Sequence, residues 1–286
     1  MSGTPGYRYS VSTKSGLSDE LINTYLLRPI AGLLVRVLYS SPVTPNQVTV
    51  SAIAAGLVSA FCYLPGTPGL TAAAGLFLTL KDLLDSADGQ LARAKNLFSR
   101  RGRFLDSIGD VVVNFCVFLA IAAALSRAGA PWPVFAASMA AFLSLTLRVS
   151  YHVFYQTSYL HRRNAYLLNR TSEEISGEDL SADRVTIALQ RTFLVLYGWQ
   201  DALMAGIDAW SRNGKTVGDE AWYADPVGLR WSGFLGLGTE LFLLMLFSLC
   251  NELEDYLAVN LLGMNAVWAG CILYRKRLGR RNRRDA

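Results

Sequence analysis

Six apolar runs, each close to the ~20 residues an α-helix needs to cross a bilayer, constrain this chain more than anything else in it. They are Val48–Leu64, Leu70–Leu84, Val111–Leu125, Trp132–Val149, Ser232–Leu249 and Leu257–Tyr274. Inside a bilayer the backbone has no water to bond, so a spanning segment is either helical or part of a closed barrel, and runs of this length select the helix. The expected fold is therefore all-α: a polytopic membrane protein with six transmembrane helices. A composition of 52% hydrophobic and 17% charged residues over 286 positions excludes an ordinary soluble domain. The first dozen residues are polar and have no apolar core, so no cleavable signal peptide is expected.

The flanks and loops complete the organisation. Residues 1–16 read as a mobile N-terminal segment, 17–277 as one membrane domain, and 278–286 as a basic C-terminal tail. Between Leu17 and Tyr39, apolar Leu21, Ile22, Leu26, Leu33, Leu34, Val37 and Leu38 recur at helical spacing among Glu20, Asn23, Arg28 and Arg36. That pattern predicts an amphipathic juxtamembrane helix on the membrane surface, with Ser18, Asp19 and Glu20 suited to its N-terminus. Thr44 and Pro45 predict the start of the first crossing. The segment 155–231 is mostly polar. Within it, Arg184–Trp210 approaches the apolarity of a span, but Arg184, Arg191, Asp201 and Asp208 interrupt it. A seventh crossing would also put the basic tail outside, so this part reads as an interfacial or partly re-entrant helix. The sequon Asn169-Arg170-Thr171 then lies in the cytoplasm and is a chance match.

Charge placement orients the chain. The formal net charge is +5, and Lys95, Arg100, Arg101 and Arg103 share one loop. Arg275, Lys276, Arg277, Arg280, Arg281, Arg283 and Arg284 crowd the C-terminus, while the turns Leu64–Leu70 and Cys250–Leu257 carry no Lys or Arg. By the positive-inside rule the loop and both termini are cytoplasmic, which six crossings satisfy. On a multispanning chain such a tail reads as a topology signal touching anionic lipid, and no nucleic-acid partner is expected. Cys62, Cys116, Cys250 and Cys271 are dispersed in or beside apolar runs, without metal or redox spacing. His152 and His161 form no ligand pair.

One stretch defies this economy: LKDLLDSADGQLARAKNLFSRRGRFLDSIGDVVVNF, Leu80 to Phe115. Aspartate and lysine each cost about 3 kcal/mol at the centre of a spanning helix. Asp85 and Asp88 share a helix face at spacing three, and Asp106 and Asp110 share one at spacing four. Residues Ala94–Arg101 suffice to reverse the chain, so two antiparallel helices can aim four carboxylates at one point. Hard oxygen ligands in that number call for divalent cations, and Mg²⁺ binds through carboxylates together with substrate phosphates. Asp85 to Asp110 suffice for two ions with shared ligands. Gly89, Ala92 and Gly102 leave room for a bulky ligand near the backbone, and Arg93 offers a planar cation suited to phosphate. Metals, a cation and small residues together describe a site for a phosphorylated nucleotide.

The pattern Asp-x2-Asp-Gly-x2-Ala-Arg-x8-Gly-x3-Asp-x3-Asp is met at every fixed position from Asp85 to Asp110. It resembles the signature of the CDP-alcohol phosphotransferase (CDP-alcohol phosphatidyltransferase) family. TPNQVT, Thr44–Thr49, is similar to that family's first-helix nucleotide contact, and the six-helix architecture extends the resemblance over most of the chain. The segment 155–231 is the departure. The resemblance implies that Asp85, Asp88 and Asp106 hold Mg²⁺ or Mn²⁺, as two ions, with Asp110 both a shared ligand and the general base. It implies that Gly89, Ala92, Arg93 and Gly102 cradle the cytidine diphosphate, with Asn46 and Thr49 as helpers. The implied reaction moves a phosphatidyl group from CDP-diacylglycerol to a polar alcohol with release of CMP, in phospholipid biosynthesis at the bilayer. The alternative transfers a phospho-head group from a soluble CDP-alcohol to diacylglycerol. A cation pathway is disfavoured, because the aspartates gather at one membrane face. Members of the family are often homodimers, so a homodimer is compatible with the resemblance.

Other charges have two readings each. Lys81, one turn before Asp85, reads as the ion-pair partner of Asp85 or Asp82, or else as a contact to the donor phosphate or the acceptor. Asp82 reads as a polar packing partner. Arg148 and His152, four apart near the end of the fourth crossing, read either as acceptor contacts or as side chains snorkelling to the headgroups. The acceptor stays open among inositol, inositol phosphate, serine and glycerol phosphate. DSIGDVVVNF in place of the DPVADK type disfavours the last.

Overall fold

The computed structural model describes residues 20, 22–162, 184–212 and 219–281. Residues 1–16, Ser18 and Asp19, the sequon at Asn169 and residues 282–286 of the tail lie outside these. Among the described residues every regular element is helical, with no strand. A π-helical turn, Asn23–Leu27, leads into α1, Arg28–Tyr39. The long helices follow: α2 Pro45–Tyr63, α3 Pro68–Lys95, α4 Arg100–Arg127, α5 Pro133–Arg162 and α6 Arg184–Arg212. Two short helices, α7 Asp219–Tyr223 and α8 Pro226–Gly233, precede α9 Leu237–Cys250. Finally α10, Leu253–Ala258, passes through the π-helical stretch Val259–Met264 into α11, Asn265–Arg281.

Among the described residues, five helical stretches are long and apolar enough to cross a membrane: Pro45–Tyr63, Arg100–Arg127, Pro133–Arg162, Pro226–Cys250 and Leu253–Gly279. The protein is an all-α, polytopic integral membrane protein. The expected crossing at Leu70–Leu84 falls in α3, which is 28 residues long but is not one of the five. Its apolar run is cut short by Lys81, Asp82, Asp85 and Asp88, the residues that make it chemically interesting. α2 packs along both α3 and α4.

Local sequence explains the boundaries. Thr44 caps α2 as expected, in a reciprocal capping box: its hydroxyl accepts from the Gln47 N–H, and the Gln47 side chain accepts from the Thr44 N–H at 2.8 Å. α3 stops at Asn96, which takes the left-handed conformation (φ 53°) that asparagine tolerates better than most residues. Ser99 then caps α4, accepting from the Gly102 N–H at 2.8 Å. The reversal is thus Asn96–Ser99 alone, shorter than the expected Ala94–Arg101, because both helices continue into the anticipated loop.

In lipid the pull between helices comes from packing and internal hydrogen bonds, so close crossings need small residues. A side chain at Gly56 of α2 or Gly109 of α4 would overlap Val113 and Ile53 respectively, so these two glycines let the helices touch. At Gly75 an added Cβ would meet Ser248 Cβ at 2.8 Å, which fixes α9 against α3. The core this produces includes Tyr63, Leu78, Val113, Ile121, Leu145, Leu244 and Tyr256. α1 docks through Ala31 and Val35 onto Ala87 and Leu91 of α3, while apolar Ile30, Leu33 and Val37 face outward. Such a helix is apolar on both sides, and its outward face suits a membrane surface.

Two expectations need correcting, and a third can be described more closely. Glu20 does not serve its own helix: its carboxylate accepts from the Gly238 N–H at 2.7 Å, at the start of α9. α6, which covers the segment read as interfacial or partly re-entrant, is one unbroken 29-residue helix. It lies along α4 through Phe193 on Phe104 (5.3 Å between rings) and the Tyr197 hydroxyl donating to the Ser107 carbonyl at 2.8 Å. Finally, Arg275 is no tail residue. It is 1% exposed within α11, donates to the Trp222 carbonyl and stacks on Tyr155 at 4.3 Å. Helix continues through the first cations of the tail because α11 packs on α6 and α8.

Candidate active site

The helical hairpin α3–α4 brings the aspartates together from both sides of the short reversal. One carboxylate oxygen each from Asp85, Asp88 and Asp106 lies within 4.8 Å of the others. Asp110, one turn beyond Asp106, is outside this trio; its Oδ1 is ion-paired with the Lys81 ammonium. Lys81 therefore bonds neither Asp85 nor Asp82, the partners expected from spacing on its own helix. Its Nζ crosses to α4, because Gly56 leaves the lysine stem a passage: a Cβ there would sit 3.2 Å from Lys81 Cγ.

α2 supplies the third wall. The Thr49 hydroxyl donates to Asp88 Oδ2, with the Pro45 carbonyl 3.2 Å away, so this buried threonine orients a carboxylate of the trio. Asn46, one turn earlier, reaches α4: its Oδ1 occupies the space a Cβ at Gly102 would need and lies 3.4 Å from Ser99 Oγ. Gly102 thus makes room first for Asn46. Ser99 was missed in the sequence, although a serine three residues before Gly102 at a predicted helix start is a readable cap. On α3, the Arg93 guanidinium folds back over Gly89, 3.5 Å from where a Cβ would stand. Ala92 is on the same turn. Asn46 and Thr49 belong to α2, and Gly89, Ala92, Arg93 and Gly102 to α3 and α4, the two helices that carry the aspartates.

The trio fits a divalent cation by its chemistry. All three donors are carboxylate oxygens, the hard ligands that Mg²⁺ and Mn²⁺ take. At metal–oxygen distances of about 2.1 Å, octahedral ligands stand roughly 3 to 4.2 Å apart, which a mutual separation within 4.8 Å allows. Around the trio, Lys95 donates to the Ser41 and Val43 carbonyls at 2.8 Å each, and Gln90 to the Arg28 carbonyl at 3.2 Å. These contacts staple α1 and the entrance to α2 along the charged half of α3.

Arg148 and His152, the two candidate acceptor contacts on α5, are both buried. Arg148 is 0% exposed on α5, donating to Glu240 Oε2 at 2.8 Å, the Asn260 carbonyl at 3.0 Å and Asn265 Oδ1 at 2.9 Å. Buried and ion-paired, it does not snorkel to the headgroups. His152 is buried one turn further along. Glu240 also accepts from the Tyr256 hydroxyl at 2.9 Å and from the Asn260 amide. As a lone acid within an apolar span, Glu240 carried a signal that sequence reasoning passed over. Asp82 is buried beside α9, its Oδ2 3.4 Å from where a Cβ at Gly238 would stand, consistent with a packing role.

Comparison with known proteins completes the description. A family profile described as CDP-alcohol phosphatidyltransferase matches residues 42–210, from the entrance of α2 to near the end of α6. The chain is 37% identical over 109 residues to the bifunctional IPC transferase and DIPP synthase of Thermococcus kodakarensis, covering 37% of this chain and 24% of that protein. It is 34% identical over 134 residues to the protein of the same name from Aquifex aeolicus, covering 46% and 30% respectively. It is 31% identical over 100 residues to the inner membrane protein YnbA of Escherichia coli, covering 33% and 50%. The chain thus spans less than a third of the length of the bifunctional relatives it matches.

Proposed function

The chain belongs to the CDP-alcohol phosphatidyltransferase family, and on that premise we propose that it transfers a phosphatidyl group from CDP-diacylglycerol to a polar alcohol, releasing CMP. The observation that carries this reading is the convergence of Asp85, Asp88 and Asp106 beside a separately held Asp110. In our reading the trio holds Mg²⁺ or Mn²⁺, as a pair of ions, with Asp110 a shared ligand. When bound, they supply the positive charge that offsets the diphosphate and the departing CMP. Thr49 keeps Asp88 oriented for that duty. Arg93, Gly89, Ala92, Gly102 and Asn46 receive the cytidine diphosphate. Asp110 takes the proton from the acceptor hydroxyl, whose oxygen attacks the β-phosphorus of the donor. The bond from that phosphorus to the bridging oxygen breaks, and its electron pair leaves with CMP.

A lipid donor explains why the site is built on membrane helices. CDP-diacylglycerol stays in the bilayer through its acyl chains, while a polar acceptor and CMP exchange with water. The cations of the Lys95–Arg103 turn put this end of the hairpin on the cytoplasmic side by the positive-inside rule. With α3 as the sixth crossing, both termini then face the cytoplasm.

The test is CMP release by the protein purified in detergent with Mg²⁺ or Mn²⁺, given CDP-diacylglycerol and a panel of alcohols. CMP formed from CDP-diacylglycerol with one of these alcohols is the expected result. CMP formed only from a soluble CDP-alcohol plus diacylglycerol would reverse the direction of transfer. No CMP from any CDP-linked donor with either metal would remove the activity altogether.

A further inference from the structure

Asn114 is a polar side chain in the middle of α4 to which the transfer reaction gives no task. It stands in the apolar run Val111–Leu125, four residues past Asp110, and so lies on the same helix face one turn further from the hairpin reversal. The Asp110 side chain is 21% exposed and Asn114 only 7%, so access to this face falls off at the asparagine. One turn on, Phe118 packs against Phe142 and Tyr256 and closes the face with aromatic rings. Asn114 Oδ1 is buried and has no hydrogen-bond partner among the described residues. Other buried amides of the bundle are tied in: Gln200 accepts from Ser150 at 2.5 Å, and Asn265 donates to Ser144 Oγ at 2.6 Å.

A carboxamide oxygen left unpaired among apolar side chains costs stability, and its retention calls for a partner that the chain itself does not supply. The neighbourhood gives that partner its chemistry. The reacting hydroxyl of the acceptor meets Asp110, and Asn114 lies about 6 Å further along the helix axis. A carboxamide accepts from an O–H through Oδ1 and donates through Nδ2, which suits a neutral hydroxyl. We propose that Asn114 determines acceptor specificity: its carboxamide binds a second hydroxyl of a polyhydroxy alcohol whose first hydroxyl faces Asp110. The inference deepens the transfer reaction proposed above and rests on it. Such a site selects polyols over acceptors with a single hydroxyl, because an acceptor without the second hydroxyl leaves the amide unpaired.

CMP release from CDP-diacylglycerol tests this with inositol, inositol phosphate, glycerol phosphate and serine as acceptors. The polyol used best is then compared with its monodeoxy analogues. In the wild type, loss of one non-reacting hydroxyl is expected to lower kcat/KM for the acceptor about 10- to 100-fold. Asn114→Leu should lower kcat/KM for the intact polyol by a similar factor and respond no further when that hydroxyl is missing. KM for the lipid donor should stay within about threefold, and the thermal midpoint should match or exceed that of the wild type. Serine used as well as the best polyol would overturn the proposal, as would equal sensitivity to the missing hydroxyl in wild type and variant. A lowered thermal midpoint, with kcat reduced for every acceptor alike, would make Asn114 merely structural and overturn it too. If Asn114→Leu does not fold, Asn114→Ala is read in the same cycle. If the wild type releases no CMP from any CDP-linked donor, the transfer reading falls, and the rise in thermal midpoint on adding the polyols decides the contact. A rise in the wild type that is absent from the variant supports it, and an equal rise in both, or none in either, overturns it.

Discussion

Two regions of this molecule bury charge among apolar helices, and they do so in opposite ways. In the cluster where α5, α9 and α11 meet, Arg148 and Glu240 balance each other at 2.8 Å. Tyr256, Asn260 and Asn265 then add hydrogen bonds to the pair. In the α3–α4 hairpin, Asp85, Asp88, Asp106 and Asp110 gather, and the Lys81 ammonium pairs with Asp110. The first region is neutral within the protein. Among the described residues' contacts, the second keeps an excess of negative charge. Buried charge is tolerated where it is paired and hydrogen-bonded, so balance marks structure, and imbalance marks a place where a ligand's charge completes the arrangement. Arg148 and Lys81 are both buried cations on long helices, and only their surroundings tell them apart.

The sharpest way to break this contrast is at Asp110. Asp110→Asn keeps the shape of the side chain but removes its basicity, and should lower kcat by about 100- to 10,000-fold. Donor binding, read by equilibrium dialysis of CDP-diacylglycerol micelles or by KM, should stay within about threefold. Turnover at the wild-type rate would take the base away from Asp110 and with it the functional half of the comparison.

Next in size is a paired experiment on stability. Glu240→Ala strands the Arg148 guanidinium in the bundle and should destabilise the protein by about 3–5 kcal/mol. Arg148→Met combined with Glu240→Leu removes both charges and should recover much of that loss. Asp106→Asn, by contrast, relieves repulsion in the metal-free site. It should leave the metal-free thermal midpoint unchanged or higher while activity collapses. Thermal unfolding in detergent with a chelator present measures all three variants. If Asp106→Asn destabilised as much as Glu240→Ala, the distinction between balanced and unbalanced charge would fail.

How much of this was legible beforehand differs between the regions for a physical reason. The aspartates were legible because the spacing of residues along one helix fixes which face they share, and the reversal between helices is short. The capping box at Thr44 was legible because its partners are three residues apart. Lys81 was misassigned because its partner lies on another helix, and spacing along one helix says nothing about contacts across to the next. The partners of Arg148 were not legible for the same reason: Glu240, Asn260 and Asn265 come from parts of the chain far away in sequence. The passage that sends Lys81 to Asp110 depends on Gly56, a small residue whose role appears only once α2, α3 and α4 are assembled.

A smaller effect is expected where α2 touches the hairpin. Gly102→Ala pushes a methyl group into Asn46 Oδ1 and Ser99 Oγ. Both neighbours are polar side-chain ends that can shift, so the cost should be at the low end of the ~1–3 kcal/mol typical of overpacking. Because Asn46 is a proposed contact for the nucleotide, the change should raise KM for the donor by several-fold with little change in the metal-binding signal. A loss of metal binding instead would mean that α2 supports the trio more than the nucleotide.

Glu20 gives the smallest effect and lies between the two regions in kind. Its carboxylate accepts from the Gly238 N–H at the start of α9, a partner supplied by the protein, but the Asp82 and Asp85 carboxylates stand near it. Burial first, and then Asp82, push its pKa up to about 8, against the pull of the Gly238 and Leu237 N–H groups. An acid whose pKa is raised in the folded state binds its proton more tightly there than in the unfolded chain. Its contribution to stability is therefore full below the ordinary value of 4.5 and is lost as pH rises through about 8. Glu20→Gln keeps an oxygen for the Gly238 N–H and cannot ionise. Across about pH 5 to 8.5 the wild-type thermal midpoint should decline more steeply than that of the variant, with the variant the more stable at the upper end. Equal slopes would show that Glu20 stays ionised beside Asp82 throughout. The excess negative charge of the hairpin would then extend to the N-terminal segment, and α9 would belong with the unbalanced region.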